Sequence, residues 1–132
     1  MSLPELRILI ADDHHAFRRS VRQVLAAAPE MTIVAECADG VTALLEIRAG
    51  QAQVAVLDLA MPGLNGLAVA RAVQAERLGC PVIILTMHDD AELVEKARLA
   101  GVSHYIRKQN VVAELVPALR QLAVQGSKEL AK

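Results

Sequence analysis

Short runs of β-branched and other apolar residues alternate along this chain with stretches of helical spacing. The runs are RILIA (7–11), MTIVAEC (31–37), VAVLD (54–58), PVIILT (81–86) and HYI (104–106). They recur about every 25 residues, each pair separated by a helix-length segment. Within those segments, apolar residues fall at helical intervals. Phe17, Val21, Val24 and Leu25 form one face, and Val41, Leu44, Leu45 and Ile47 a second. Leu67, Val69, Ala70 and Val73 suit a third, Leu93, Val94, Ala97 and Leu99 a fourth, and Leu115, Leu119 and Leu122 a fifth.

Five strand–helix units in strict alternation predict a parallel sheet covered on both faces. Right-handed crossovers leave few topologies. The natural one is a flavodoxin-like, doubly wound (βα)5 sandwich with strand order 2-1-3-4-5. Its ligand crevice lies beyond the carboxyl ends of strands 1 and 3. MTIVAEC, which alternates most, suits an edge strand. Pro117 falls inside the last helical segment, so that helix either starts late, with Pro117 in its first turn, or kinks. Residues 1–125 form one domain. The polar tail 126–132 is expected to fray, or to begin a linker to an output domain outside this chain.

Composition narrows the class. With 132 residues, 54% of them hydrophobic, the chain can bury a real core and is not disordered. No apolar run approaches the ~18 residues of a membrane span, and no secretory signal opens the sequence. The first three residues are compatible with a cloning remnant. Fourteen basic and fifteen acidic residues give a net charge of −1, which offers this domain no electrostatic hold on nucleic acid. Cys37 and Cys80 are isolated in apolar surroundings and are read as buried thiols of a reducing, cytoplasmic compartment, a disulfide between them being the alternative. His14 and His15 are adjacent rather than a helical turn apart, which makes a poor metal pair.

The chemistry lies at the strand ends. One strand-end Asp is ordinarily a helix cap. Asp12 and Asp13, with Asp58 at the neighbouring strand end, are more than a cap needs. Clustered carboxylates repel one another unless a cation neutralises them, and hard oxygen ligands with room for water suit Mg²⁺. Asp58 can also attack phosphorus to form an acyl phosphate. The turn-rich AMPGLNG that follows would let the backbone pass near the metal and present the Ala60 carbonyl. Thr86 would otherwise be a good β former and Lys108 a solvated charge. At the ends of strands 4 and 5 they can instead contact a phosphoryl group.

ILIADDH, LDLAMPGLNG, ILTMHDD and YIRK, in this order and spacing, resemble the receiver domain of a two-component response regulator over about residues 6–125. His14, Asn65-Gly66 and Met87-His88 resemble the subfamily whose output is a LuxR/NarL-type helix-turn-helix domain. The resemblance implies Asp58 as phosphoacceptor. It implies Mg²⁺, with Mn²⁺ as an alternative, on Asp13, Asp58 and the Ala60 carbonyl, with Asp12 acting mainly through water. Thr86 and Lys108 would contact the phosphoryl group, Lys108 pairing with Asp58 at rest. Tyr105 would be the aromatic switch, and Ala60 and His88 would tune the lifetime of the phosphate. His15 stands where the subfamily often has Pro, and Gln109 where many receivers have a cis Pro, so the loop after strand 5 is expected to be mobile.

The expected function is a switch. A sensor histidine kinase phosphorylates Asp58, and the face of helix 4, strand 5 and helix 5 changes to control an output. That output is transcription through a DNA-binding domain beyond this chain, with homodimerisation on phosphorylation as one route. The chain would catalyse its own phosphorylation and slow dephosphorylation without being a conventional turnover enzyme. Three alternatives stand beside it. A flavodoxin-like cofactor binder would need phosphate-binding donors after strand 1, where two acids stand. An aspartyl phosphohydrolase would need a second acid where Ala60 stands. The third is a degenerate receiver serving only as an interaction module.

Overall fold

The computed structural model describes residues 5–87 and 90–130, the last five through their backbone alone. Five strands run β1 (Leu6–Ala11), β2 (Met31–Cys37), β3 (Val54–Asp58), β4 (Val82–Thr86) and β5 (His104–Arg107). They form one parallel sheet in the order β2-β1-β3-β4-β5, as the alternation predicts. The helices are α1 (His15–Ala26), α2 (Gly40–Arg48), α3 (Gly66–Ala75), α4 (Ala91–Leu99) and α5 (Val111–Leu130), the last preceded by a 3₁₀ turn, Lys108–Asn110.

The helices divide between the two faces of the sheet, which is why β3 and β4 are buried along their whole length and read as unbroken apolar runs. Ile8, Ile10, Val56, Ile83 and Leu85 meet Val21, Leu25, Leu115 and Leu119 of α1 and α5. Leu9, Leu57 and Ile84 meet Leu44, Ile47, Val69 and Ala97 of α2, α3 and α4.

Three helix starts are set by local chemistry. Asp39, Asn65 and Asp90 accept from the backbone N–H groups of Thr42, Ala68 and Glu92 at 2.7–2.8 Å. Each fills one of the donors that a helix start leaves open.

Two helical faces differ from the sequence expectation. Val41 and Leu45 of α2, and Val94 and Leu99 of α4, are exposed. The inward stripe of α2 is Gly40, Ala43, Leu44 and Ile47, and that of α4 centres on Ala97 with Leu93 beside it. On short helices a true stripe and its flanking positions are equally apolar, so spacing alone does not separate them. Pro117 lies well inside α5, so the late start is not what occurs. Pro117 and Ala113, whose carbonyl loses its helical partner, are both on the exposed side, where water can take the missing donor's place. The same helix runs on to Leu130.

β2 is the edge strand, as predicted, but it is not regular. Ile8 pairs with Ile33 and Leu9 with Ala35, leaving Val34 without a partner on β1. This is a β-bulge, a common device at sheet edges. It reverses the facing of the strand. Met31 and Ile33 pack on the α1/α5 side, and Ala35 and Cys37 on the other. Glu36, paired with Ile10, is thereby turned toward α1.

Candidate functional site

β1 and β3 end side by side, and the acids follow from that register. Ala11 pairs with Leu57, so Asp12 and Asp58 leave adjacent strands at the same height. The Asp12 side chain is 2% exposed and the Asp13 side chain 36%, one turned into the protein and the other toward the opening. Neither is a helix cap. The N-cap of α1 is His14, whose side chain makes no capping bond. Its N–H instead donates to Asp12 Oδ1 at 2.8 Å.

Ligand atoms of Asp12, Asp13, His14 and Asp58 all lie within 4.8 Å of one another. Three carboxylates this close, two of them buried, form a hard donor set that suits Mg²⁺ or Mn²⁺. His14 Nδ1 is 3.1 Å from Asp13 Oδ1 and 3.3 Å from Asp12 Oδ1. Paired with His15 this histidine makes a poor metal site; its close neighbours are instead the two acids before it.

Lys108 enters from the end of β5. It is buried, with Nζ 2.8 Å from Asp12 Oδ2 and 3.4 Å from Asp58 Oδ2. The expected pairing with Asp58 is present, but the shorter contact is to Asp12. Burial pushes the Asp58 carboxyl above its ordinary range, and the neighbouring Asp12 charge pushes the same way. Lys108 and the Ala60 N–H, 3.3 Å from Asp58 Oδ1, pull against them without winning.

The segment after Asp58 is shaped by close packing. The Gly66 N–H donates to the Leu59 carbonyl at 3.0 Å. A Cβ on Gly66 would stand 2.6 Å from the Asp58 carbonyl oxygen and 2.8 Å from Ile84 Cδ1. The Asn65-Gly66 pair thus has a mechanical reason: Asn65 caps α3, and Gly66 lets the helix start against the strand that carries Asp58. Beside this loop a cleft of about 710 Å³, bordered by Asp13, Ala60, Met61, Arg71 and Lys96, opens Asp13 to solvent.

Thr86 is buried at the end of β4, one residue beyond Leu85, the partner of Asp58. Tyr105 is half-buried on β5, pairs with Ile84, and packs into the core of the α2–α4 side. Side chains alternate along a strand, so Thr86 lies on the same face as Ile84 and Tyr105. His88 lies outside the described residues.

Two further residues reach the site from α1. The Phe17 ring centroid is 4.3 Å from Lys108 Nζ. Arg18 Nη1 donates to the Asp12 carbonyl at 2.6 Å, and its Nε is 3.8 Å from Glu36. Arg22 also pairs with Glu36, at 3.2 Å. The bulge at Val34 is what aims Glu36 at these arginines. From the sequence Phe17 reads as core and Arg18 as an ordinary helix arginine; the signal for both is their position one helical turn after the acids.

The thiols of Cys37 and Cys80 are free and buried, and burial pushes each up to about 11. No helix among the described residues is long and apolar enough to cross a membrane.

A family model described as the response regulator receiver domain matches residues 8–120. The chain is 34% identical to the transcriptional regulatory protein NarL of Mycobacterium tuberculosis over 126 residues, 93% of this chain and 58% of that protein. It is 35% identical to the nitrate/nitrite response regulator protein NarP of Escherichia coli over 122 residues, 92% of this chain and 56% of that one. It therefore spans little more than half the length of these relatives. Among solved structures, the signal receiver domain of the M. tuberculosis NarL superposes with a TM-score of 0.87 at 33% identity, covering 92% of this chain and 98% of that one.

Proposed function

This chain belongs to the response regulator receiver family, and on that premise we propose that Asp58 accepts a phosphoryl group from the phosphohistidine of a sensor histidine kinase. Receiver domains bind Mg²⁺ at an acidic pocket and interact with histidine kinases. The observation that carries the reading is the buried Lys108 held between Asp12 and Asp58 beside a three-carboxylate cluster. Burying two acids and an ammonium together stabilises a fold poorly, so the cluster calls for a chemical reason.

In the proposed reaction an Asp58 carboxylate oxygen attacks phosphorus opposite the imidazole nitrogen. The P–O bond forms, the P–N bond breaks, and the imidazole nitrogen keeps the electron pair and takes a proton from solvent. Asp12, Asp13, Asp58 and the Ala60 carbonyl would hold Mg²⁺, or Mn²⁺, which when bound supplies charge neutralisation at the transferring oxygens. Lys108 offsets charge on another phosphoryl oxygen, and Thr86 donates to a third. The acyl phosphate carries about −2 charge and several strong acceptors. Thr86 drawn toward it leaves room on its own face of the sheet, into which Tyr105 turns. That change biases the α4–β5–α5 surface.

Ala60, being small, leaves water a path to the phosphate, and His88 shapes that path. Hydrolysis is slow, because no acid stands at Ala60 to assist it. In the intact protein, residues 126–132 lead toward a helix-turn-helix output domain that binds DNA, and phosphorylation favours a homodimer. The setting is the cytoplasm. The half-length match to transcriptional regulators supports this output.

The test is mass spectrometry after incubation with acetyl phosphate and Mg²⁺. One phosphoryl adduct that is lost in Asp58→Ala is expected. No adduct in the wild type, or the same adduct in the variant, overturns the reading.

A further inference from the structure

Lys108 brings a positive charge into a place that is almost dry. Its side chain is 7% exposed and lies against Asp12, Asp58 and the face of Phe17. The ring belongs to α1, which begins directly after the acids, whereas the lysine arrives from the end of β5. An aliphatic side chain at position 17 would fill the same half-buried space. It would not attract an ammonium, because only an aromatic ring presents a negative face.

We infer that Phe17 is a positioning residue for phosphoryl transfer, its ring holding the Lys108 ammonium at the junction of Asp12 and Asp58. The inference rests on Asp58 as the acceptor for its kinetic consequence alone. At rest the ammonium leans toward Asp12, at 2.8 Å against 3.4 Å to Asp58. To neutralise a phosphoryl group on Asp58 it has to move away from that shorter bond. A hydrogen bond weakens steeply with misalignment. Attraction to a ring face has no single donor–acceptor axis and changes slowly with sideways displacement. The ring therefore keeps hold of the ammonium while its carboxylate partner changes. Without it, Lys108 would stay with Asp12 or sample several positions, and fewer encounters would find it in place.

Phe17 is the one phenylalanine in the chain. Biosynthetic replacement of phenylalanine by its mono-, di- and trifluoro analogues therefore changes this position alone. Each fluorine withdraws electron density from the ring face with little change of shape. The first measurement is the thermal unfolding midpoint of the fluorinated series, made in the wild type and in Lys108→Met. The wild-type midpoint should fall stepwise by a few degrees in all, and the Lys108→Met series should stay flat. Parallel series in the two backgrounds overturn the inference.

The second measurement is the rate of adduct formation from acetyl phosphate at saturating Mg²⁺. It should fall stepwise by about threefold to tenfold across the series, the scale of a partly desolvated cation–π contact. The Mg²⁺ midpoint should not move. A flat rate in protein that does form the adduct, or a shift in the Mg²⁺ midpoint alone, also overturns the inference. If no adduct forms even with ordinary phenylalanine, it is the acceptor role of Asp58 that fails, and the unfolding series still decides whether the ring holds the lysine.

Discussion

Lys108 Nζ is bonded more closely to Asp12, at 2.8 Å, than to Asp58, at 3.4 Å. The buried acid that follows β1 thus holds the cation in reserve while the acceptor carboxylate stays only partly compensated. Asp12→Asn removes both the partner of the lysine and a source of repulsion on Asp58. The Asp58 carboxyl, now raised by burial and by Asp12, should move back toward its ordinary range. Carbon-detected NMR titration of that carboxyl reads the change. Calorimetry should show Mg²⁺ binding weakened by about 10–100-fold, the scale for losing a group that orders a metal site. An unmoved Asp58 titration would mean that burial alone sets it.

The raised Asp58 carboxyl also gives stability a pH dependence. The folded state binds this proton more tightly than the unfolded chain does, so the ionised group costs stability above its folded pKa. That cost fades as pH falls through the folded pKa toward the ordinary carboxylate value. Asp58→Asn should therefore be more stable than the wild type at neutral pH in EDTA, by roughly 3 °C for ~1 kcal/mol in a domain of this size. The difference should vanish in acid. Unfolding midpoints across the pH range check both halves, and a variant less stable at neutral pH contradicts the sign.

Gly66→Ala tests the packing behind Asp58. The added methyl meets the Asp58 carbonyl oxygen at 2.6 Å and Ile84 Cδ1 at 2.8 Å, and the backbone contact cannot give way by rotating a side chain. A loss of about 1–3 kcal/mol is expected from overpacking. Phosphorylation should slow as well, because the displaced strand end carries the acceptor. Denaturant unfolding and the adduct rate should fall together.

Arg77 stands in the left-handed region at φ 53°. It follows the last turn of α3, where the Leu78 N–H reaches the Val73 carbonyl at 3.1 Å and the Arg77 N–H reaches Gln74 at 3.2 Å. This is a Schellman ending, and its left-handed position normally belongs to glycine. α4 ends the same way with Gly101 at φ 79°. Arg77→Gly should stabilise the fold by about 0.5–1 kcal/mol, the relief of strain less the entropy glycine adds to the unfolded chain. Denaturant midpoints measure it, and adduct formation should be unchanged.

The sequence located the acids and the lysine without the fold, because a strand that ends in Asp or Lys next to a turn looks different from one that ends in core residues. The family motifs then assigned them roles. What it missed around the site is instructive. Phe17 is apolar at a core-like spacing, so only its place one helical turn after the acids hints at a charged neighbour. Arg18 looks like any arginine on a helix, and its bond to the Asp12 carbonyl appears only when the chain has turned back on itself.

The linear sequence determined the period of each segment, and with it the five strands, the parallel sheet and the cluster of strand-end acids. Tertiary structure decided the pairings. Met31, Ile33, Ala35 and Cys37 read as one uninterrupted alternation, yet they divide between two faces because Val34 is skipped by β1. One extra residue leaves the apolar pattern of a strand intact and moves every later side chain to the other side. Likewise, three oxygen-bearing side chains and a lysine could be assembled on paper in more than one way. Only the packed geometry chooses Asp12 as the closer partner of Lys108, because at this depth the preference is set by differences of a few tenths of an ångström between buried charges.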